Sequence, residues 1–348
     1  MTTSPALLDG LRILDLTRNL PGPFATRMLA GLGASVIKVE PPEGDPARAL
    51  PPLFDALMPG KTTRRIDFRQ PADLAELRTW VRDADVVIEG FRPGVMDSMG
   101  LGFEALRALQ PRLVMCSITG YGQAGDWADR AGHDLNYMAM SGALDQMRGT
   151  DGQPVMSNIQ WGDLACGSSM AVVGILAGVW SAQRTGKACH VDISMTHGLM
   201  AHQIMPLATG AMMQPLLGRP PGAHEDMLNG ALPCYSLYAT ADGRTLAVGS
   251  LEHKFWALVC QTLGHPEWVE HHWQRGLLPN TPASNALRGE VAAVIASQPL
   301  SHWQAVFAEV DACVTPVLTL AEARQHVLFK QPRREPWVIR QATPDGKA

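Results

Sequence analysis

A chain of 348 residues, 46% hydrophobic and 18% charged, is long enough for two domains and can bury a large core without disulfide or metal staples. Its 29 Lys and Arg against 33 Asp and Glu give a net charge of -4, which argues against broad electrostatic capture of nucleic acid or an anionic membrane. Six scattered cysteines (Cys116, Cys166, Cys189, Cys234, Cys260, Cys313) form no CxxC pair and read as reduced, mostly buried thiols of a cytoplasmic protein, not a disulfide framework or zinc site.

The N-terminus shows no basic and then apolar signal pattern, and "TPDGKA" at the other end is no targeting tripeptide. From there the chain reads as a βαβ pattern: "LRILDLT" as a strand, "GPFATRMLAGLG" as a helix closed by glycine, "ASVIKVE" as a second strand. A helix around Leu74 to Val81 then feeds "DVVIEG", and "RLVMCSITG" is a third strand of the same buried type. Strands alternating with helices predict an open, Rossmann-like parallel sheet, whose ligands bind at the carboxyl ends of the strands. "RNLPGP", "EGFRPG" and "TGYGQAG" follow three of those ends.

After Asp163 comes the apolar helix "LACGSSMAVVGILAGVWSAQRTGK", ended by Gly186. Its most apolar stretch, Met170 to Trp180, is too short to cross a bilayer, so no membrane span is expected. "HVDIS" reads as a strand followed by another apolar helix, and "CYSLYATADGRTLAVGS" as a hairpin around "ADG". The helix "LEHKFWALVCQTLG" follows, with others from about Ser284 to Val310, and "QPRREPWVIRQATPDGKA" is a strand-forming or loosely ordered return. The expected domains are 1–195 (large, with a return at about 320–348), linking helices over 196–224, and a smaller α+β domain over 225–319.

Several kinds of chemistry find little support. His224-Glu225 lacks the second histidine of HExxH, so no metal site is expected. Glu40 stands where a ribose-binding acid would, but "TRNLPGP" is not GxGxxG, and there is no GxSxG or Walker A sequence. Three acid-base candidates are left. His133, in "GHDLNY", opens an apolar helix, where the positive helix end and partial desolvation disfavour its charged form; taken alone, a plain capping role is the safer reading. Asp163 begins the long apolar helix, either as an ordinary N-cap or as an ionised carboxylate at the edge of a nonpolar site. Glu252 sits in a first turn, where acids are common for electrostatic reasons alone.

Together, "LDGLRILDLTRNLPGPFATRMLAGLGASVIKVEPP", "ADVVIEGFRPGVMDSMGLGFEAL", "AGHDLNYMAMSGAL", "WGDLACGSSM" and "DGRTLAVGSLEHKFW" resemble the family III CoA transferases and, within them, the 2-methylacyl-CoA racemases. The resemblance runs over roughly the first 325 residues. It implies CoA contacts from Ile66, Phe68 and Arg69, from Gly90, Phe91 and Arg92, and from Gly132 to Tyr137, including Asp134 and Asn136. Transferases of this kind use the aspartate matching Asp163 as a nucleophile beneath a glycine-rich loop, whereas the stretch here is "LNGALPCYSLY". Racemases pair the histidine of "GHDxNY" with that aspartate and hold the histidine with a glutamate, which implies His133, Asp163 and Glu252.

The implied protein is an acyl-CoA racemase with no cofactor beyond the CoA of its substrate. The resemblance also implies an interlocked homodimer in which Glu252 serves the partner's histidine. A CoA transferase working through Asp163 and a non-catalytic acyl-CoA-binding protein are the alternatives. The oxyanion of the reaction would find backbone N–H groups at the helix starts near His133 or Asp163. Pro41 and Ser98 stand where basic residues are expected, with Lys38 or Arg48 as substitutes, and the C-terminus is shorter than the resemblance implies.

Overall fold

The computed structural model describes residues 6–149 and 151–330, which fold as two units. Of the described residues, one unit takes those up to Leu144 together with Met156–Gln203; the other takes Asp145–Val155 and those from Ile204 to Lys330. The stretch 196–224, read as linking helices, is thus divided: helix Met195–His202 belongs to the first unit and helix Ile204–Leu217 to the second. The return "QPRREPWVIRQATPDGKA" lies outside the described residues.

The first unit is built on six strands: β1 (Arg12–Asp15), β2 (Ser35–Glu40), β3 (Lys61–Arg65), β4 (Val86–Glu89), β5 (Val114–Thr119) and β6 (Cys189–Ser194). All are parallel, in the order β3-β2-β1-β4-β5-β6. Every residue of β4 and β5 is buried, as expected for central strands covered on both faces. The winding reverses between β1 and β4, which opens a crevice at their carboxyl ends. Strand β3, "KTTRR", carries no apolar alternation and was not anticipated; it forms by pairing its backbone with β2, from Val36 opposite Lys61 to Glu40 opposite Arg65.

Helix Pro21–Gly31 starts on prolines suited to a first turn and buries Ala25, Met28 and Leu29 at helical spacing. Helix Pro71–Asp83 buries Leu77 and Val81. The long apolar helix is not uniform: Gly162–Ser169 is a π-helical segment, continued by α-helix Met170–Thr185 and ended by left-handed Gly186. Joined, they make 24 residues, long and apolar enough to cross a bilayer, which corrects the shorter span read from Met170 to Trp180. The helix instead lies against β5 and β6, burying Ala171, Ile175, Gly178 and Ala182.

The second unit holds an antiparallel sheet of β7 (Tyr235–Ala239), β8 (Thr245–Gly249) and β9 (Val314–Pro316), in which β7 and β8 are the expected hairpin. Helices His253–Thr262, Pro282–Ile295 and Leu300–Val306 cover it. Trp256 is fully buried there and donates its indole N–H to the Trp268 carbonyl, so the largest apolar side chain also has its polar atom satisfied.

Candidate active site

The carboxyl ends of β1, β4 and β5 surround a cavity of about 460 Å3. Its walls are Arg18, Asn19 and Gly22 after β1, Gly90, Phe91 and Arg92 after β4, and Thr119 and Gly120 at the end of β5. His133, Asn136 and Tyr137 come from helix Asp134–Met140 and the residue before it, and Asp163 from the π-helical segment.

His133 does cap its helix, but through the main chain. Its carbonyl accepts from Asn136 N at 2.8 Å, and its own N–H donates to Asn136 Oδ1 at 3.0 Å. The imidazole makes no hydrogen bond to any described residue and is exposed on the cavity. Capping and chemistry are therefore not in competition here. The expected partial desolvation of the ring is not seen; desolvation falls on the aspartate instead.

Asp163 is half-buried, and burial pushes its carboxyl up to about 6, with the nearby Asp134 carboxylate adding to the rise and His133 opposing it. The sequence reading had this carboxylate held ionised, so the structure reverses the direction. Its backbone N–H donates to Asp134 Oδ1 at 2.9 Å. Asp134 therefore does not line the cavity; it reaches from the first turn of the His133 helix to the start of the Asp163 helix and ties the two together. Asn136 and Asp134 occupy the N–H groups of His133 and Asp163, so an oxyanion would have to draw on other backbone N–H groups at these helix starts.

Tyr137 donates its hydroxyl to the Gly132 carbonyl and packs edge-on against Tyr121 at 5.4 Å. Burial pushes its pKa up to about 12, so it stays a donor and clamps the loop ahead of His133. A Cβ at Gly132 would meet the Tyr137 ring at 2.7 Å, so any larger residue there would have to displace that ring. Behind the Gly90–Arg92 loop and outside the cavity lining, Glu89 at the end of β4 is buried, raised to about 7 by desolvation, and accepts from Phe91 N at 2.7 Å. It shapes the Gly90–Arg92 loop from beneath.

The other CoA candidates divide. Gly90, Phe91, Arg92, Gly132, Asn136 and Tyr137 line the cavity; Ile66, Phe68 and Arg69 do not. Ile66 is buried in the core, Phe68 packs edge-on against Phe91 at 5.6 Å, and exposed Arg69 is paired with Asp67 at 2.8 Å. Neither substitute for the missing basic residues is free: Lys38 is buried against Asp45 at 2.7 Å, and Arg48 is forked onto Glu40 at 2.8 and 2.9 Å. That fork also occupies Glu40, the acid noted where a ribose contact would be. Glu252 belongs to the second unit, at the N-cap of helix His253–Thr262. Two cavity arginines, Arg18 and Arg130, were not singled out, although Arg18 stands in "RNLPGP", one of the three strand-end segments.

The sequence model of CoA-transferase family III matches residues 8–342. The chain is 34% identical to alpha-methylacyl-CoA racemase of Homo sapiens over 324 residues, covering 92% of this chain and 80% of that protein. It is 33% identical to acetyl-CoA:oxalate CoA-transferase of Acetobacter aceti, covering 90% and 82%. The crystal structure of a CAIB/BAIF family protein from Brucella suis superposes with a TM-score of 0.77 at 28% identity, covering 94% of this chain and 88% of that one. Relatives of near-equal identity thus carry two different reactions on one fold. A Rossmann-like sheet with a cavity at its switch point and a match over nearly its whole length place the chain in CoA-transferase family III.

Proposed function

We propose that this chain is a 2-methylacyl-CoA racemase, inverting the 2-methyl centre by proton transfer through an enolate. The observation that carries the reading is one cavity lined by both an unbonded imidazole, His133, and a carboxyl raised to about 6, Asp163. Such a carboxyl is populated in both protonation states near neutrality, which suits a group that acts as base in one direction and acid in the other. One of the pair takes the α proton as the C–H electrons move into the enolate. The other returns a proton to the opposite face, so substrate and product differ only in configuration.

In this reading CoA arrives as part of the substrate, the exposed Arg92 and Arg130 face its phosphates at the cavity rim, and Tyr137 holds the loop that presents His133. Glu252 orients the imidazole of a second copy in an interlocked homodimer. Support for a second copy comes from apolar side chains left open along the helices of the first unit, among them Val173, Trp180, Leu135 and Met200.

Incubation with one enantiomer of a 2-methylacyl-CoA in deuterated water tests the reading: α-deuterium incorporation with loss of optical purity and no acceptor acid is expected. The second reading, CoA transfer through Asp163, is favoured by the transferase relatives, and it requires an aspartyl adduct trapped by hydroxylamine instead of α exchange.

A further inference from the structure

Three guanidinium groups line the cavity, and the acidic side chain among its lining residues is Asp163 alone, itself raised to about 6. The cavity is therefore built for more negative charge than the described residues supply. The three arginines are not equivalent. Arg92 and Arg130 are exposed, whereas Arg18 is half-buried, lies over the Phe91 ring at 5.3 Å, and has a fully buried Nε with no hydrogen-bond partner among the described residues. An unpartnered donor on a permanent cation, shielded from water, is costly unless a bound anion completes it.

The backbone around Arg18 is held on both sides. Thr17 donates its N–H and hydroxyl to Asp15, and its carbonyl accepts from Lys38. Asn19 is in the left-handed region at φ 63, with its N–H bound to Asp45 Oδ1 at 3.0 Å. A conformation unfavourable for a residue with a side chain persists here because a buried charge network surrounds it. The same turn touches the helix that carries Asp163: Ser168 Oγ donates to the Pro21 carbonyl at 2.6 Å and to the Asp163 carbonyl at 3.0 Å. The backbone that carries Arg18 is thus fixed at a wall of the same cavity that His133 and Asp163 line.

We propose that Arg18 is a specificity-determining residue that reads a carboxylate on the acyl group, so that the chain takes 2-methylacyl-CoAs carrying a second, free carboxylate. This rests on the proposed acyl-CoA function and names its substrate class. A permanent anion in the ground state, not one that develops only during reaction, is what an unpaired, half-buried guanidinium requires, and its planar fork matches a carboxylate.

Calorimetric titration with 2-methylsuccinyl-CoA and 2-methylbutanoyl-CoA, which differ in carrying a carboxylate or a methyl group at the chain end, tests the proposal. The unaltered protein is expected to bind the carboxylated thioester about 10-fold or more tightly, and Arg18→Gln to remove that preference while leaving the affinity for 2-methylbutanoyl-CoA within about threefold. Arg18→Lys, which keeps the charge and loses the fork, is expected to retain part of the preference and covers the case in which the glutamine variant does not fold. Equal affinities in the unaltered protein overturn the proposal, as does a preference that survives Arg18→Gln. So does an equal loss for both thioesters and for free CoA, which assigns the guanidinium to CoA phosphates. Affinity is read without turnover, so a chain that prefers the carboxylate but exchanges no α proton refutes racemisation and leaves this inference standing.

Discussion

Two groups of charged residues lie near the carboxyl edge of the same sheet, and they are treated in opposite ways. Beneath the β1 turn, Asp15, Lys38, Asp45 and Lys61 have side chains at most 1% exposed, joined at 2.7 Å (Lys38 to Asp45) and 3.3 Å (Lys61 to Asp15). Burial raises the Asp15 pKa, but Lys38, Lys61 and the hydroxyls of Thr17 and Thr26 more than offset it, and the carboxyl ends below its usual range. Around the cavity, His133, Asp163 and Arg18 are bonded by their side chains to none of the described residues. Compensated charge makes scaffold; uncompensated charge makes a site, because only an unpaired group has interaction energy left for a substrate.

The sharpest way to break this contrast is to remove one member of each group. His133→Ala is expected to lower α-proton exchange by about 10^2–10^4-fold while shifting the unfolding free energy by less than about 0.5 kcal/mol, as read by deuterium incorporation and urea unfolding. Exchange at the unaltered rate would remove His133 from the chemistry. Lys38→Met should do the reverse, leaving Asp45 as a buried, unpaired carboxylate and costing about 3–5 kcal/mol in the same urea experiment. A loss below 1 kcal/mol would mean that the network is not what holds the β1 turn.

Asp163→Asn sharpens the comparison through pH. The folded pKa of about 6 lies above the ordinary 3.8, so ionising Asp163 disfavours the folded state, and that cost sets in as pH rises from about 4 through 6. The asparagine variant should therefore gain about 1–2 kcal/mol over the unaltered protein at pH 7 and nothing at pH 3.5, allowing for solvent screening of a half-buried group. A gain that does not vary with pH would rule out the raised carboxyl as its source. Tyr137→Phe is the mildest change: loss of one hydroxyl bond to the Gly132 carbonyl should cost about 1 kcal/mol and reduce exchange less than tenfold. A loss comparable to that of His133→Ala would place the hydroxyl on the substrate.

Much of the first unit was legible because β1, β2, β4 and β5 are strongly apolar runs between turn residues, and burial on both faces leaves that trace directly in the sequence. Strands β3 and β9 were not, since "KTTRR" and "VTP" owe their conformation to a neighbouring strand's backbone and carry no periodicity of their own. The π-helical segment under Asp163 was read as plain helix, because composition does not report a widened turn. His133 and Asp163 were found as candidates from their helix-start positions and family motifs. The carboxyl of Asp163 is raised where its helix-start position suggested an ionised group, because burial depends on what packs nearby and not on the residues beside it in the chain.

Asp134 shows the division most clearly. Its place next to His133, at the first turn of an apolar helix, was written in the sequence along with the strand ends and the family motifs, since local patterns of burial and capping are encoded by neighbours. That its carboxylate caps residue Asp163 instead of lining the cavity, that Lys38 is spent on Asp45, and that Arg18 is left unpaired beside Phe91 were decided only in three dimensions. Coulomb energy and desolvation depend on distance and burial, and folding sets both between residues that are remote in the chain.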